Sequence, residues 1–205
     1  MIVIENKRCK PETLYRKYGA DAIIADVTSK AQDGLARLSP FYPHGGIPVP
    51  NSEGYTAACV EAVWQGLKVF ETADIDIDMF CNDTMRNIKR TVRKYGKPLG
   101  HRYGVGSDVL LGYIEARKKI YIPTYRWVLE NKVQNIIERL REAAKTKTII
   151  LLDYDTNSDV ENPRRPLSHA SLVKAYAEGI YPYEDGSKTV RTEEKMTELS
   201  LPFDM

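Results

Sequence analysis

The chain has 205 residues, 42% of them hydrophobic and 28% charged, a composition that excludes a disordered or fibrous protein and fits one globular domain. Thirty Lys plus Arg stand against 28 Asp plus Glu, a formal charge of +2, so a basic binding surface has to be local rather than a property of the whole chain. No run approaches the roughly 20 apolar residues of a membrane span, and MIVIENKR at the start holds too short an apolar stretch for a signal-peptide core, so a cytoplasmic location without membrane partners is expected.

Met1 to Ile4 reads as a strand, Pro11 to Tyr18 as a helix opened by proline, and Ala22 to Val27 as a second strand of clustered aliphatic residues. The prolines and glycines of SPFYPHGGIPVP, residues 39–50, forbid regular structure, while Phe41, Tyr42, Ile47 and Val49 make this loop apolar enough to lie on a core. Tyr55 to Glu71 has helical spacing, with Cys59, Val63, Gly66, Leu67 and Phe70 on one face. Thr84 to Tyr95 reads as another helix, ended by Gly96 and Pro98. A long helical region follows from Val109 to Ala144, with a break expected at Pro123. Thr148 to Leu152 is the clearest strand, and Leu167 to Glu178 is a last helix closed by Gly179. The expected fold is α+β: a mainly helical single domain over 1–180 with a small sheet of about three short strands, and a peripheral tail over 181–205. The absence of regular βαβ alternation argues against Rossmann-type and barrel folds.

Three cysteines, Cys9, Cys59 and Cys81, cannot all pair with one another and lack zinc-site spacing, so free thiols are expected, with no metal and no cofactor. On the helix read from Tyr55, Glu61, Gln65 and Lys68 lie within about 60° around the axis, with Trp64 beside them. Such a line is either a solvated stripe with an ordinary ion pair or, within a cleft, a carboxylate for proton transfer with an amide and an ammonium to orient a ligand. Arg86, Lys89, Arg90, Arg93, Lys94 and Lys97 would share one face of about 140° on the next helix. That face is either solvated or a contact surface for phosphate or nucleic acid. Gly104-Val105-Gly106-Ser107-Asp108 fits helix capping by Ser107 or Asp108 better than an anion-binding turn. The acid cluster after Leu152, including Asp153 and Asp155, lacks the glycine and glutamate of a calcium loop and stands just past a strand end. Asp74, Asp76 and Asp78 open a helix or turn. His44, His101 and His169 stand in separate segments, either as satisfied structural groups or, for one of them, in proton transfer.

The run from Ser39 through Phe41 to Thr56, Glu61, Gln65, Lys68 and Val69-Phe70 resembles the opening of the NADAR superfamily of YbiA-like N-glycosidases, with its Ser-x-Phe loop and Glu-x-x-x-Gln-x-x-Lys helix. LGHR at Leu99 to Arg102 is similar to that family's Gly-Arg signature, and Asp153 followed by LSHASLVKAY to its late acid and closing helix. The family's Trp-Gly element is replaced here by ENPRRPLSH. The text is closer still to an uncharacterised bacterial and phage protein family, which would place a phage-encoded copy in the host cytoplasm. The NADAR resemblance implies hydrolysis of an N-ribosyl bond in a phosphorylated nucleoside or ADP-ribosyl substrate. Glu61 and Asp153 would be the catalytic carboxylates, and Ser39, Phe41, Trp64, Gln65, Lys68, Arg102 and Asp155 would line the ligand, with Lys68 and Arg102 near phosphate. The alternative is a non-catalytic nucleotide or nucleic-acid binding module that uses Arg86, Arg90, Arg93 and Lys97 of the basic helix 86–97.

Overall fold

A computed structural model describes residues 1–182, and the expected tail lies almost entirely outside these described residues. In chain order the elements are β1 (Ile2–Asn6), α1 (Pro11–Tyr18), β2 (Ile23–Asp26), β3 (Ile47–Pro48), β4 (Thr56–Ala57), α2 (Val60–Gly66), β5 (Lys68–Phe70), α3 (Val92–Tyr95), β6 (Pro98–Arg102), β7 (Leu110–Leu111), α4 (Tyr113–Ala116), α5 (Ile122–Asn131), α6 (Gln134–Ala143), β8 (Ile149–Asp153) and α7 (His169–Ala177). The fold is α+β, with helices dominating and the strands gathered in small sheets. Packing divides the described chain into two compact units, one built from 1–39, 129–159 and 164–182, the other from 40–128 and 160–163.

The first unit is organised by a three-stranded sheet in the order β1-β8-β2, parallel throughout, with Ile149 facing both Ile2 and Ile23. Every residue of the central strand is buried. A continuous aliphatic run is what a strand covered on both faces requires, which is why IILL was legible as a strand. Leu14 of α1 packs with Ala22, Ile150 and Leu152; burying a leucine of this kind contributes about 1.5–3 kcal/mol. The last helix is shorter than its periodicity suggested, starting at His169 because Ser168 caps it by accepting a hydrogen bond from the Ser171 amide.

The second unit packs Ala62, Val63 and Leu67 against Phe80, Ile88, Leu111 and Ile120. Its sheet, in the order β5-β6-β7, and the β3-β4 pair are antiparallel and two to five residues per strand, too short to announce themselves by alternation. Two expected helices are cut back. The helix read over Tyr55 to Glu71 exists only from Val60 to Gly66, and Lys68 begins a strand. At Gly66 the chain 76–80 closes in: the Asp76 amide donates to the Gly66 carbonyl, and a Cβ at Gly66 would sit 2.3 Å from the Phe80 ring.

The helix read over Thr84 to Tyr95 is reduced to Val92–Tyr95. The Asn82 side chain accepts from the Thr84 amide and hydroxyl and donates to the Arg86 carbonyl, while Met85 and Asn87 adopt left-handed backbone at φ 57° and 55°. Such local side-chain bonds compete with helical ones. The six-residue basic face therefore does not form.

Pro123 does not break its helical region either. A wide π turn over Arg117–Tyr121 precedes it and accommodates the missing amide donor, so the interruption comes at 132–133. The Gly104–Asp108 turn caps no helix: Ser107 Oγ accepts from the Val109 amide, and β7 follows.

Candidate functional site

The second unit gathers ionisable groups around α2. Cys59 caps the helix, its sulfur accepting from the Ala62 amide, and the Glu61 amide donates to the Pro40 carbonyl, which fixes Glu61 in the first turn and Phe41 beside it. The Glu61 side chain is 8% exposed. One turn on, Gln65 Nε2 donates to Glu61 Oε1 at 2.8 Å, and Gln65 Oε1 accepts from the Arg90 amide at 3.1 Å. Gln65 is thus held at both ends and positions the carboxyl. Burial pushes the Glu61 carboxyl above its ordinary value, against the hydrogen bond from Gln65 and the charges of Lys89 and Lys68.

Lys68, half-buried at the head of β5, faces His101 of β6 as its cross-strand partner. Burial lowers its ammonium despite the attraction of Glu61, and the cations Arg90 and Lys89 lower it further. His101 is 2% exposed, stacks on Trp64 with ring centroids 3.7 Å apart, and makes no hydrogen bond through either ring nitrogen. Burial and the neighbouring Lys68 drive its imidazole down to about 3, so the ring is neutral. The Arg90 guanidinium, buried, donates to the carbonyls of Gln65, Lys68 and Asp74 and lies over the Phe70 and Tyr95 rings. It is a brace that ties the end of α2 to β5, not the exposed phosphate contact expected of it. The Lys89 ammonium sits 5.6 Å from the centroid of the Phe41 ring.

Asp153 belongs to the first unit, at the carboxyl end of β8. Its Oδ2 accepts from Ser168 Oγ at 2.7 Å and stands 3.0 Å from His169 Nδ1, while Oδ1 accepts from the Tyr154 amide. The other ring nitrogen of His169 lies 2.8 Å from the Val27 carbonyl oxygen. With an acceptor at each nitrogen, the ring is best satisfied as an imidazolium. Burial alone would raise the Asp153 carboxyl and lower the His169 imidazole; their mutual bond and charge, helped by Ser168 and Val27, outweigh it and shift both the opposite way. Asp153 therefore anchors α7 to the sheet, and the catalytic part expected of it gives way to that structural one.

Residues 6–173 match a family of unknown function, DUF6939. The chain belongs to that family. No curated protein and no solved structure shows significant similarity to it.

In this DUF6939 member the remaining expected site residues have different surroundings. Phe41 and Trp64 are half-buried and pack on the core of the Glu61 unit. Ser39 is buried in the other unit, and Asp155 accepts from the Asn157 amide in a local turn. Arg102 is committed to a surface pair with Asp74, at 2.8 Å, and to the Asp108 carbonyl, which takes it away from the phosphate role expected of it. Arg86, Arg93 and Lys97 are exposed and, without the helix, share no common face. Among the described residues no three His, Cys, Asp or Glu side chains are placed to hold a metal, and no helix is long and apolar enough to cross a membrane. Sequence reasoning missed the convergence of His101 and Lys89 on this site, because both arrive through non-local pairing that leaves no periodic trace.

Proposed function

We propose that this chain is a cytosolic N-glycosidase-like hydrolase that cleaves the N-ribosyl bond of a phosphorylated nucleoside or ADP-ribosyl substrate, with Glu61 as its acid–base group. The observation that carries the reading is the Glu61 carboxyl, buried, aimed by Gln65 and shifted by burial toward its protonated form. A protonated carboxyl can give its proton to the departing base as the C1′–N bond breaks. Water then adds to C1′, and its proton returns to the Glu61 carboxylate, so that the products are free base and ribosyl phosphate and the acid is regenerated. Carboxyl groups with raised pKa serve this part in glycoside hydrolysis generally. The likeness of the Glu61–Gln65–Lys68 run to the NADAR pattern supports the same reaction class.

The non-catalytic alternative relied on a basic helix that is absent, so the hydrolase is preferred. The test is release of free base from a panel of nucleoside monophosphates, dinucleotides and ADP-ribosylated guanine bases, followed by chromatography. Release by the wild type and its loss in Glu61→Gln supports the reading. Equal release by both, or no release from any member of the panel, contradicts it.

A further inference from the structure

Charge around Glu61 is unbalanced. Lys68, Lys89 and Arg90 all act on one another or on Glu61 electrostatically, and the Glu61 carboxyl is itself pushed toward neutrality by burial. Asp74, whose carbonyl accepts from Arg90, has its carboxylate turned to Arg102. The Arg90 Nη1 and Nη2 groups donate to backbone carbonyls while its buried Nε makes no hydrogen bond, whereas the ammonium groups of Lys68 and Lys89 make neither a hydrogen bond nor an ion pair with any described residue; each merely lies near a ring, Lys68 by Phe70 and Lys89 by Phe41. The hydrogen bonds already described fix the backbone at both lysines. The Arg90 amide on Gln65 brings residue 89 to the end of α2, and the Pro40 carbonyl on the Glu61 amide brings Phe41 to its start. The series runs outward, from buried Glu61 through half-buried Lys68 to exposed Lys89.

We propose that Lys89, together with Lys68, forms a subsite for the phosphate group of the ligand, and that Lys89 rather than Arg102 supplies its outer cation. Two unpaired ammonium groups offer six N–H donors to a dianion, and partial desolvation at Lys68 strengthens the attraction over that of a lysine in open water. The assignment rests on the proposed reading for the place of the ribose, which lies between this phosphate end and the Glu61 carboxyl, but anion binding can be measured apart from turnover.

The experiment is a titration of the whole chain with inorganic phosphate, pyrophosphate and ribose 5-phosphate, read by tryptophan fluorescence and repeated with free ribose. It compares wild type with Lys89→Gln, Lys89→Arg and the exposed control Lys94→Gln. Saturable binding of the phosphates, weakened about tenfold in Lys89→Gln, equivalent to losing about 1.4 kcal/mol, and kept within about threefold in Lys89→Arg and Lys94→Gln, supports the subsite. Because Lys89 is exposed, the fold is expected to survive, and an unchanged melting curve checks it. Phosphate affinity unchanged in Lys89→Gln, or no saturable phosphate binding by the wild type, overturns the subsite. Lys89-dependent phosphate binding without release of any base would sink the hydrolase and leave the subsite standing. Base release with the same KM in wild type and Lys89→Gln would do the reverse.

Discussion

Replacing Asp153 by Asn removes the anion from a pair buried on both sides while keeping the size of the side chain. His169 then holds its proton against burial without its nearest anion, helped by the Val27 carbonyl and the more distant charge of Asp26, and the Ser168 hydroxyl loses a charged acceptor. Removing one partner of a buried ion pair costs about 3–5 kcal/mol, and because an Asn oxygen still accepts from Ser168 we expect the lower end, about 3 kcal/mol. At about 2–4 °C per kcal/mol for a chain of this size, melting should fall by about 6–12 °C.

The loss must also follow pH. The His169 value is raised in the folded state, so its contribution is complete below the ordinary imidazole value of 6.5 and is lost as pH rises through the raised one. The Asp153 value is lowered, so its contribution is complete above the ordinary carboxylate value of 3.8 and is lost as pH falls through the lowered one. The deficit of Asp153→Asn should therefore be largest between these ordinary values and narrow at alkaline pH. Urea unfolding followed by circular dichroism at pH 5.5 and pH 9 measures it. A deficit below about 1 kcal/mol at pH 5.5, the range of an exposed pair, or one that is the same at both pH values, would refute the anchoring role.

Cysteine reactivity should divide by burial: Cys81 is exposed, whereas Cys59 is fully buried and its thiol is pushed up to about 11, chiefly by burial. In a Cys9→Ser/Cys81→Ser variant, which removes the exposed Cys81 and the half-buried Cys9, a thiol reagent at pH 8 should reach Cys59 only when denaturant is added, and rapid labelling in the native protein would contradict the packing described for α2. A methyl group at Gly104 would lie 2.2 Å from the Asn51 carbonyl oxygen, a backbone atom that cannot turn aside, whereas at Gly112 it would meet nothing within 4 Å. Gly104→Ala should cost about 1–3 kcal/mol and Gly112→Ala close to nothing, as thermal melts would show; equal melting of the two would count against the loop packing. The phosphate subsite adds the expectation for Lys89→Gln given above.

What the sequence revealed was what burial writes into it. The strand over Ile149–Asp153 was legible because burial along its whole length demands an aliphatic run, and those over Ile2–Asn6 and Ile23–Asp26 because β-branched residues cluster in them although they are only partly buried; that the three pair in parallel, with the last strand in the middle, is a matter of chain crossing that no local pattern records. Glu61 and Gln65 were found because they truly sit one turn apart on a helix. Lys68 was placed correctly near them for the wrong local reason, since the helix has ended and β5 has begun before it. The basic stripe failed because helical arithmetic at 84–90 could not see Asn82 and Thr84 diverting the backbone, or Arg90 being drawn inward by three carbonyls. His101 looked like any isolated histidine until strand pairing set it opposite Lys68 and under Trp64.

The most direct test of the central claim is the pH dependence of base release by wild type and Glu61→Gln on a substrate that the wild type turns over. An acid whose value is raised by burial stays protonated further toward neutrality, so the wild-type rate should fall as pH rises through that raised value. Glu61→Gln should lose about 100-fold or more in rate, the scale of a general acid, and lose that limb while still binding phosphate. A variant that hydrolyses at the wild-type rate with the wild-type pH profile would contradict the account.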